Sequence, residues 1–219
     1  NHYEFYDVYF SEGSFSGRIP MDRVSEVSKK QLESLMLQAV PRNLRSRLSV
    51  FIPLALGFAE KYQVDPFWVV AIMWTESHFN PHAESYVDAQ GLMQILPGTG
   101  EYLFKLMDRP VSDVDRQLVR DPHHNMEMGV FYLKRLLKRF NGSYRYATVA
   151  YNMGPTRIKR RLYQGLPVGE NNLYLDKVTR AYRKLSAPFK QEVLSKPRPF
   201  VKTLVAYPHY REGRQKLFG

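Results

Sequence analysis

Asp65-Pro66-Phe67-Trp68-Val69-Val70-Ala71-Ile72-Met73-Trp74-Thr75-Glu76-Ser77-His78 is the run from which the rest of the chain can be ordered. The Asp65 carboxylate can cap the free amides at a helix start, and Pro66 suits the first helical position, where an N–H has no partner anyway. The spacing predicts a helix over 66–78, and Asn80-Pro81 ends it. Glu76 falls in the last turn, with Met73 and Ile72 three and four residues back and Trp74 and Phe79 close in sequence. A carboxyl on that face is partly desolvated. Desolvation disfavours the charged form and raises the pKa, which makes Glu76 a candidate general acid near neutral pH. The plain alternative is a glutamate at a helix end that reaches water or caps a loop.

Outward from this run the pattern stays helical. Toward the N-terminus, Val27, Leu32, Leu35, Met36 and Val40 recur at helical spacing from Arg23 to about Val40, and Pro41 stops them. Leu44, Leu48, Phe51, Ile52, Ala55, Phe58, Ala59 and Tyr62 trace a second stripe, with Pro53 implying a kink or a break. Toward the C-terminus, His82 to Gln90 has turn chemistry with room for a short hairpin, and Pro97 to Met107 reads as a helix. Asp121-Pro122 repeats the cap-plus-proline device before an amphipathic run through Phe140, which Gly142 breaks. Tyr144 to Asn152 is a short helix closed by Gly154-Pro155, and helices over 155–164 and 170–185 complete the pattern. No strand-length alternation and no fixed-period repeat competes. The expected fold is mostly α, with at most a small β or loop element near 84–95.

Composition bounds what such a fold can do. The 219 residues are 44% apolar and 14% aromatic, enough for a packed core in one medium domain with extensions. Cysteine is absent, which excludes disulfide scaffolds, cysteine zinc fingers and thiol catalysis. No segment approaches the ~18 apolar residues of a bilayer span. The chain opens at Asn1 without a basic-then-apolar leader, giving the expectation of a processed or truncated N-terminus. Asn1 to Pro20 mixes Tyr3, Phe5, Tyr6, Tyr9 and Phe10 with Gly and Ser and reads as an extended arm that must pack on something.

The formal net charge is +11, and most of it lies between Lys177 and Gly219, where eleven Lys and Arg face only Glu192 and Glu212. A basic tail fits an acidic polymer or surface as partner, or is simply solvated. Charge and aromatics together also raise the idea of nucleic-acid binding, but the surplus lies outside the helical unit and no binding motif occurs, so none is expected. Metal ligation has little support: Asn80-Pro81 interrupts the helix between His78 and His82, His123-His124 opens a helix and reads as solvated, and no His-Glu-x-x-His occurs. No cofactor is expected.

Three blocks occur in order. They are Glu76-Ser77-x-Phe79-Asn80-Pro81-x-Ala83-x-Ser85, then Ala89-x-Gly91-Leu92-Met93-Gln94-Ile95-x-Pro97-x-Thr99, then Ala150-Tyr151-Asn152-x-Gly154-Pro155. Asp121-Pro122-x-x-Asn125, Gly129 and Tyr132-Leu133 fall between them. This set resembles the catalytic domain of the soluble lytic transglycosylase family, which has a goose-lysozyme-like fold. The resemblance covers roughly Leu44 to Lys184, dividing the chain into an N-terminal arm and helix (1–43), a catalytic domain (44–185) and a basic extension (186–219).

The resemblance implies roles residue by residue. Glu76 is the single catalytic acid/base, Ser85 orients the reacting sugar's N-acetyl group or the glutamate, Met93 and Gln94 line the cleft, and Tyr151 with Asn152 forms the other wall. Tyr174 sits where the family often has a tyrosine near the cleft, although its spacing equally suits a core residue. The bland readings of the others are a core Met93, a buried Tyr151 and an Asn152 that only ends a helix; Trp68 reads as core. The implied reaction cleaves the β-1,4 bond between N-acetylmuramic acid and N-acetylglucosamine in peptidoglycan and closes a 1,6-anhydro ring. The implied setting is the bacterial cell envelope, on the periplasmic side, with glycan strands as partner and other envelope proteins reachable through the extensions. One departure is Val87-Asp88, where the family commonly has a small residue, often Gly. An Asp88 placed ~6.5–9.5 Å from Glu76 would make the enzyme an inverting muramidase; a solvent-facing turn aspartate is the alternative.

Overall fold

The computed structural model describes residues 19, 21–25, 27–109 and 116–194. Most of the aromatic arm and the basic tail beyond Leu194 lie outside them. Among the described residues the helices are α1 (Met21–Val24), α2 (Lys29–Ala39), α3 (Arg42–Tyr62), α4 (Pro66–Ser77), α5 (Pro97–Leu106), α6 (Arg116–Arg120), α7 (Pro122–Arg139), α8 (Tyr144–Met153), α9 (Pro155–Tyr163) and α10 (Leu173–Phe189), with a π turn at Lys190–Leu194. The mostly-α expectation holds. The β content reduces to two isolated bridges, Glu84 with Gln90 and Gln90 with Ile95, inside the loop between α4 and α5.

α4 is the axis of the molecule. Every residue from Pro66 to Trp74 is buried, so this helix is apolar on all sides and needs protein around it. α10 packs along it, α3 covers another side, and α2 lies across α3 and α10. Trp68 is fully buried, its indole N–H donating to Thr148 Oγ1 on α8 at 2.9 Å. Asp65 caps α4 as its sequence position predicts: Oδ1 accepts the Phe67 and Trp68 amides at 2.9 and 3.3 Å. Its Oδ2 accepts the Tyr182 hydroxyl of α10 at 2.7 Å. These bonds satisfy a carboxylate that is wholly buried.

One local expectation is corrected, one is narrowed, and one short helix is new. The helix read over Arg23 to Val40 is two helices, because the Ser28 side chain accepts the Gln31 amide and starts a new one. α3 runs through Pro53 without a break; Pro53 and Ser49 both lie on its exposed side, where water can take up the carbonyl that loses its donor. α6, five residues long, is too short for a periodic signal to register.

α7 carries a buried acid. Glu127, 1% exposed, takes the Lys61 ammonium at 2.6 Å and the Tyr62 hydroxyl at 3.0 Å from α3, and Arg109 after α5 at 2.7 Å. Burial works to raise its pKa, but these donors outweigh it and hold the carboxyl below the ordinary value.

Candidate active site

Glu76 lies one residue before the end of α4, and the antiparallel course of α10 determines what it meets. Tyr182, toward the far end of α10, reaches Asp65 at the start of α4. Tyr174, in the first turn of α10, donates its hydroxyl to Glu76 Oε1 at 2.5 Å. Asn172 caps α10 by accepting the Leu175 amide at 2.8 Å, which fixes that first turn. Sequence spacing left Tyr174 open between core and cleft; the structure places it on the carboxyl.

The Glu76 carboxyl is half-buried. Desolvation raises its pKa to about 7, against the lowering effect of the Tyr174 hydrogen bond. Tyr174 and Tyr151 are themselves pushed well above the ordinary phenol value, first by burial and then by the Glu76 charge. Both phenols therefore stay protonated. With Tyr174 donating to Oε1, the second carboxyl oxygen, Oε2, is left to carry the exchangeable proton of the acid.

The end of α4 and the loop 83–95 that follows it are built on unusual backbone. His78, Phe79, Asp88, Gly91 and Gln94 all have left-handed φ, between 49° and 75°. The Gln94 amide donates to the Ala83 and Gly91 carbonyls at 3.0 Å each, and Ser77 Oγ donates to Leu92 O at 2.9 Å, tying the loop to the end of α4. Met93 is fully buried with its side chain against Gly129 of α7. It reaches the site through its carbonyl, which accepts the Tyr151 hydroxyl of α8 at 2.7 Å. Ser85 accepts the Ala89 amide at 3.0 Å and keeps its own proton free to donate. Asn152 is exposed in the last turn of α8.

Asn125, a matching position to which sequence assigns no role, is buried on α7. Its Oδ1 accepts the Met93 amide at 2.7 Å, and its Nδ2 donates to the Gln90 and Val119 carbonyls at 2.7 and 2.8 Å. Gly91 lets it approach: a Cβ there would stand 2.7 Å from Asn125 Nδ2. This one side chain thus staples the loop to α7. Asp88 is likewise engaged. Its carboxylate accepts the Gln90 side-chain amide at 2.6 Å, Gln90 Oε1 accepts Arg120 Nε at 2.6 Å, and Arg120 also pairs with Glu84. With φ +66°, Asp88 occupies a conformation that glycine adopts freely and aspartate tolerates.

Among the described residues, Asp121, His123 and His124 are the group whose metal-ligand atoms converge, within 4.8 Å. Asp121 Oδ1 already caps α7, accepting the His124 amide at 2.9 Å and pairing with its ring Nδ1 at 2.7 Å, and the positive end of a helix opposes a cation.

Helices gathered about a central buried helix, with one desolvated acid at its end, define the lysozyme-like class of glycan-cleaving domains. Residues 54–166 match the family described as transglycosylase SLT domain, and the chain belongs to that family. The chain is 38% identical over 135 residues to membrane-bound lytic murein transglycosylase C of Yersinia enterocolitica, covering 58% of this chain and 37% of that protein. It is 32% identical over 181 residues to the protein of the same name from Pectobacterium atrosepticum, covering 68% and 50%. The chain thus spans between about a third and a half of these relatives. Its structure is similar to that of the 70 kDa soluble lytic transglycosylase SLT70 from Escherichia coli, with a TM-score of 0.56 and 26% identity over 62% of this chain and 24% of that one.

Proposed function

We propose that this chain is a peptidoglycan lytic transglycosylase domain with Glu76 as its only acid/base. The observation that carries this reading is a half-buried carboxyl of pKa about 7, held by a tyrosine hydroxyl that donates to one of its two oxygens.

The protonated Oε2 donates to the glycosidic oxygen as the bond breaks. The substrate's own acetamido carbonyl stabilises positive charge at the anomeric carbon, taking the place of a second carboxylate. Glu76, now ionised and steadied by Tyr174, removes the proton from the sugar's sixth-carbon hydroxyl, and that oxygen attacks the anomeric carbon to close the anhydro ring. The proton returns to its starting atom. Intramolecular attack has an effective molarity of ~10⁵ M or more when well oriented, which favours ring closure over entry of water. Asp88, whose carboxylate accepts the Gln90 side-chain amide, is read as shaping the loop rather than activating water. Ser85, with its free O–H, suits contact with the acetamido group, and Gln94 suits the shaping of the loop beside it.

The same reading places the domain in the bacterial cell envelope, on the periplasmic side, with peptidoglycan strands as its partner and envelope proteins reachable through the terminal extensions. Residues 44–185 are the catalytic unit in this scheme; Leu35 and Met36 of α2 share its core.

Purified sacculi incubated with the protein or its Glu76→Gln variant, followed by mass analysis of soluble products, test the reading. Anhydro-ended muropeptides from the parent alone are expected. Reducing-end products would mean a muramidase, and no release by either protein would mean a non-catalytic wall-binding module.

A further inference from the structure

No acidic residue occurs between Glu127 and Glu170, and within that interval α9 presents a basic outer face. Arg157, Lys159 and Arg160 are exposed and make no ion pair among the described residues. Arg161 is committed to the Pro167 carbonyl at 2.9 Å. The helix turns its apolar residues inward, Ile158 fully buried and Leu162 half-buried. α9 starts directly after Gly154, which ends the helix holding Tyr151 and Asn152, so Arg157 lies in the first turn after that helix.

We propose that the solvent side of α9 is a docking strip for the free carboxylates of peptidoglycan stem peptides, which Arg157 and Arg160, one turn apart, engage together with Lys159 on the flank of the helix while the glycan is held at Glu76. The inference rests on peptidoglycan as substrate. Guanidinium and ammonium groups match carboxylates in charge and hydrogen-bond geometry, and three cations with no local acid have unused donors. An anionic lipid surface would be an alternative taker for the same charges. It needs an amphipathic helix with an exposed apolar face, and here the apolar residues face the core.

The test is binding rather than turnover, so that it is independent of the chemistry. Glu76→Gln protein, with and without Arg157→Gln, Lys159→Gln and Arg160→Gln combined, is sedimented with intact sacculi and with sacculi whose stem peptides have been removed enzymatically. The triple substitution is expected to weaken binding to intact sacculi by about tenfold at low salt, as three modest surface ion pairs would, and to leave binding to denuded glycan unchanged. Circular dichroism of both proteins checks that the helices are intact. Equal binding to intact sacculi with and without the triple substitution overturns the proposal, as does an equal loss on denuded glycan. Unchanged sacculus binding with loss of retention on phosphatidylglycerol vesicles would assign the strip to a membrane instead. If the stem-dependent loss occurs while the parent protein releases no anhydro-muropeptides, the strip stands and only the catalytic reading fails.

Discussion

Tyr174 donates a 2.5 Å hydrogen bond to Glu76 across 98 residues of chain, and that bond opposes the burial that lifts the carboxyl to a pKa of about 7. Tyr174→Phe removes the hydrogen bond that lowers the value. The alkaline limb of the pH–rate profile should then move to higher pH. The untethered carboxyl should also cost activity at pH 5, by roughly ten- to a hundredfold. An unshifted limb would show that the bond does not govern the acid.

The stability of the Glu76→Gln variant should depend on pH in a definite direction. A carboxyl raised from 4.5 to about 7 on folding contributes stability fully present below 4.5 and lost as pH rises through 7, because the folded state resists ionisation. Glutamine carries no such penalty. Urea titrations should find the variant more stable than the parent by on the order of 2 kcal/mol at pH 8.5, relative to their difference at pH 4.

Glu127 works the opposite way. Held below the ordinary 4.5, it contributes stability present above that value and lost as pH falls through its folded pKa. Glu127→Gln should be destabilised by about 3 kcal/mol at pH 7, since Lys61 and Arg109 lose their anion, and the deficit should shrink in acid. A constant deficit from pH 7 to pH 3 would assign the effect to packing.

Loop placement should be sensitive at three positions that never touch substrate. Asn125→Ala strands the Met93 amide and two carbonyls and should cost about 3 kcal/mol. Gly129→Ala puts a Cβ 2.7 Å from Met93, and Gly91→Ala adds left-handed strain to its collision with Asn125; each should cost about 2 kcal/mol. Thermal melts measure all three. Gly129→Ala should also lower turnover by displacing the carbonyl on which Tyr151 rests.

Asp88→Asn keeps an acceptor for Gln90 and tolerates the left-handed backbone. Its products should remain anhydro-ended, with yield within about twofold of the parent. Loss of reducing-end products on this substitution would instead identify Asp88 as a water-activating base.

How much of this was legible in sequence follows from how local each device is. The Asp65 cap, the buried helix and the acid near its end are set by residues within a few positions of one another, so propensity and spacing reach them. The Tyr174 contact, the Asn125 staple and the seat of Met93 against Gly129 join residues 98, 32 and 36 apart, and no period links them. Met93 shows the difference sharply. Its side chain packs as a core residue while its backbone carbonyl accepts the Tyr151 hydroxyl, a division of labour that a one-letter sequence does not display. Pro53 leaves α3 unbroken because a missing donor matters only where water cannot replace it.

Because α4 is enclosed on every side, the carboxyl at its end has no private hinge. Thermal inactivation should track the melting of the whole molecule, and swapping surface charges should leave the working pH range where it is. Retuning the acidity of Glu76 means redesigning the interior around it.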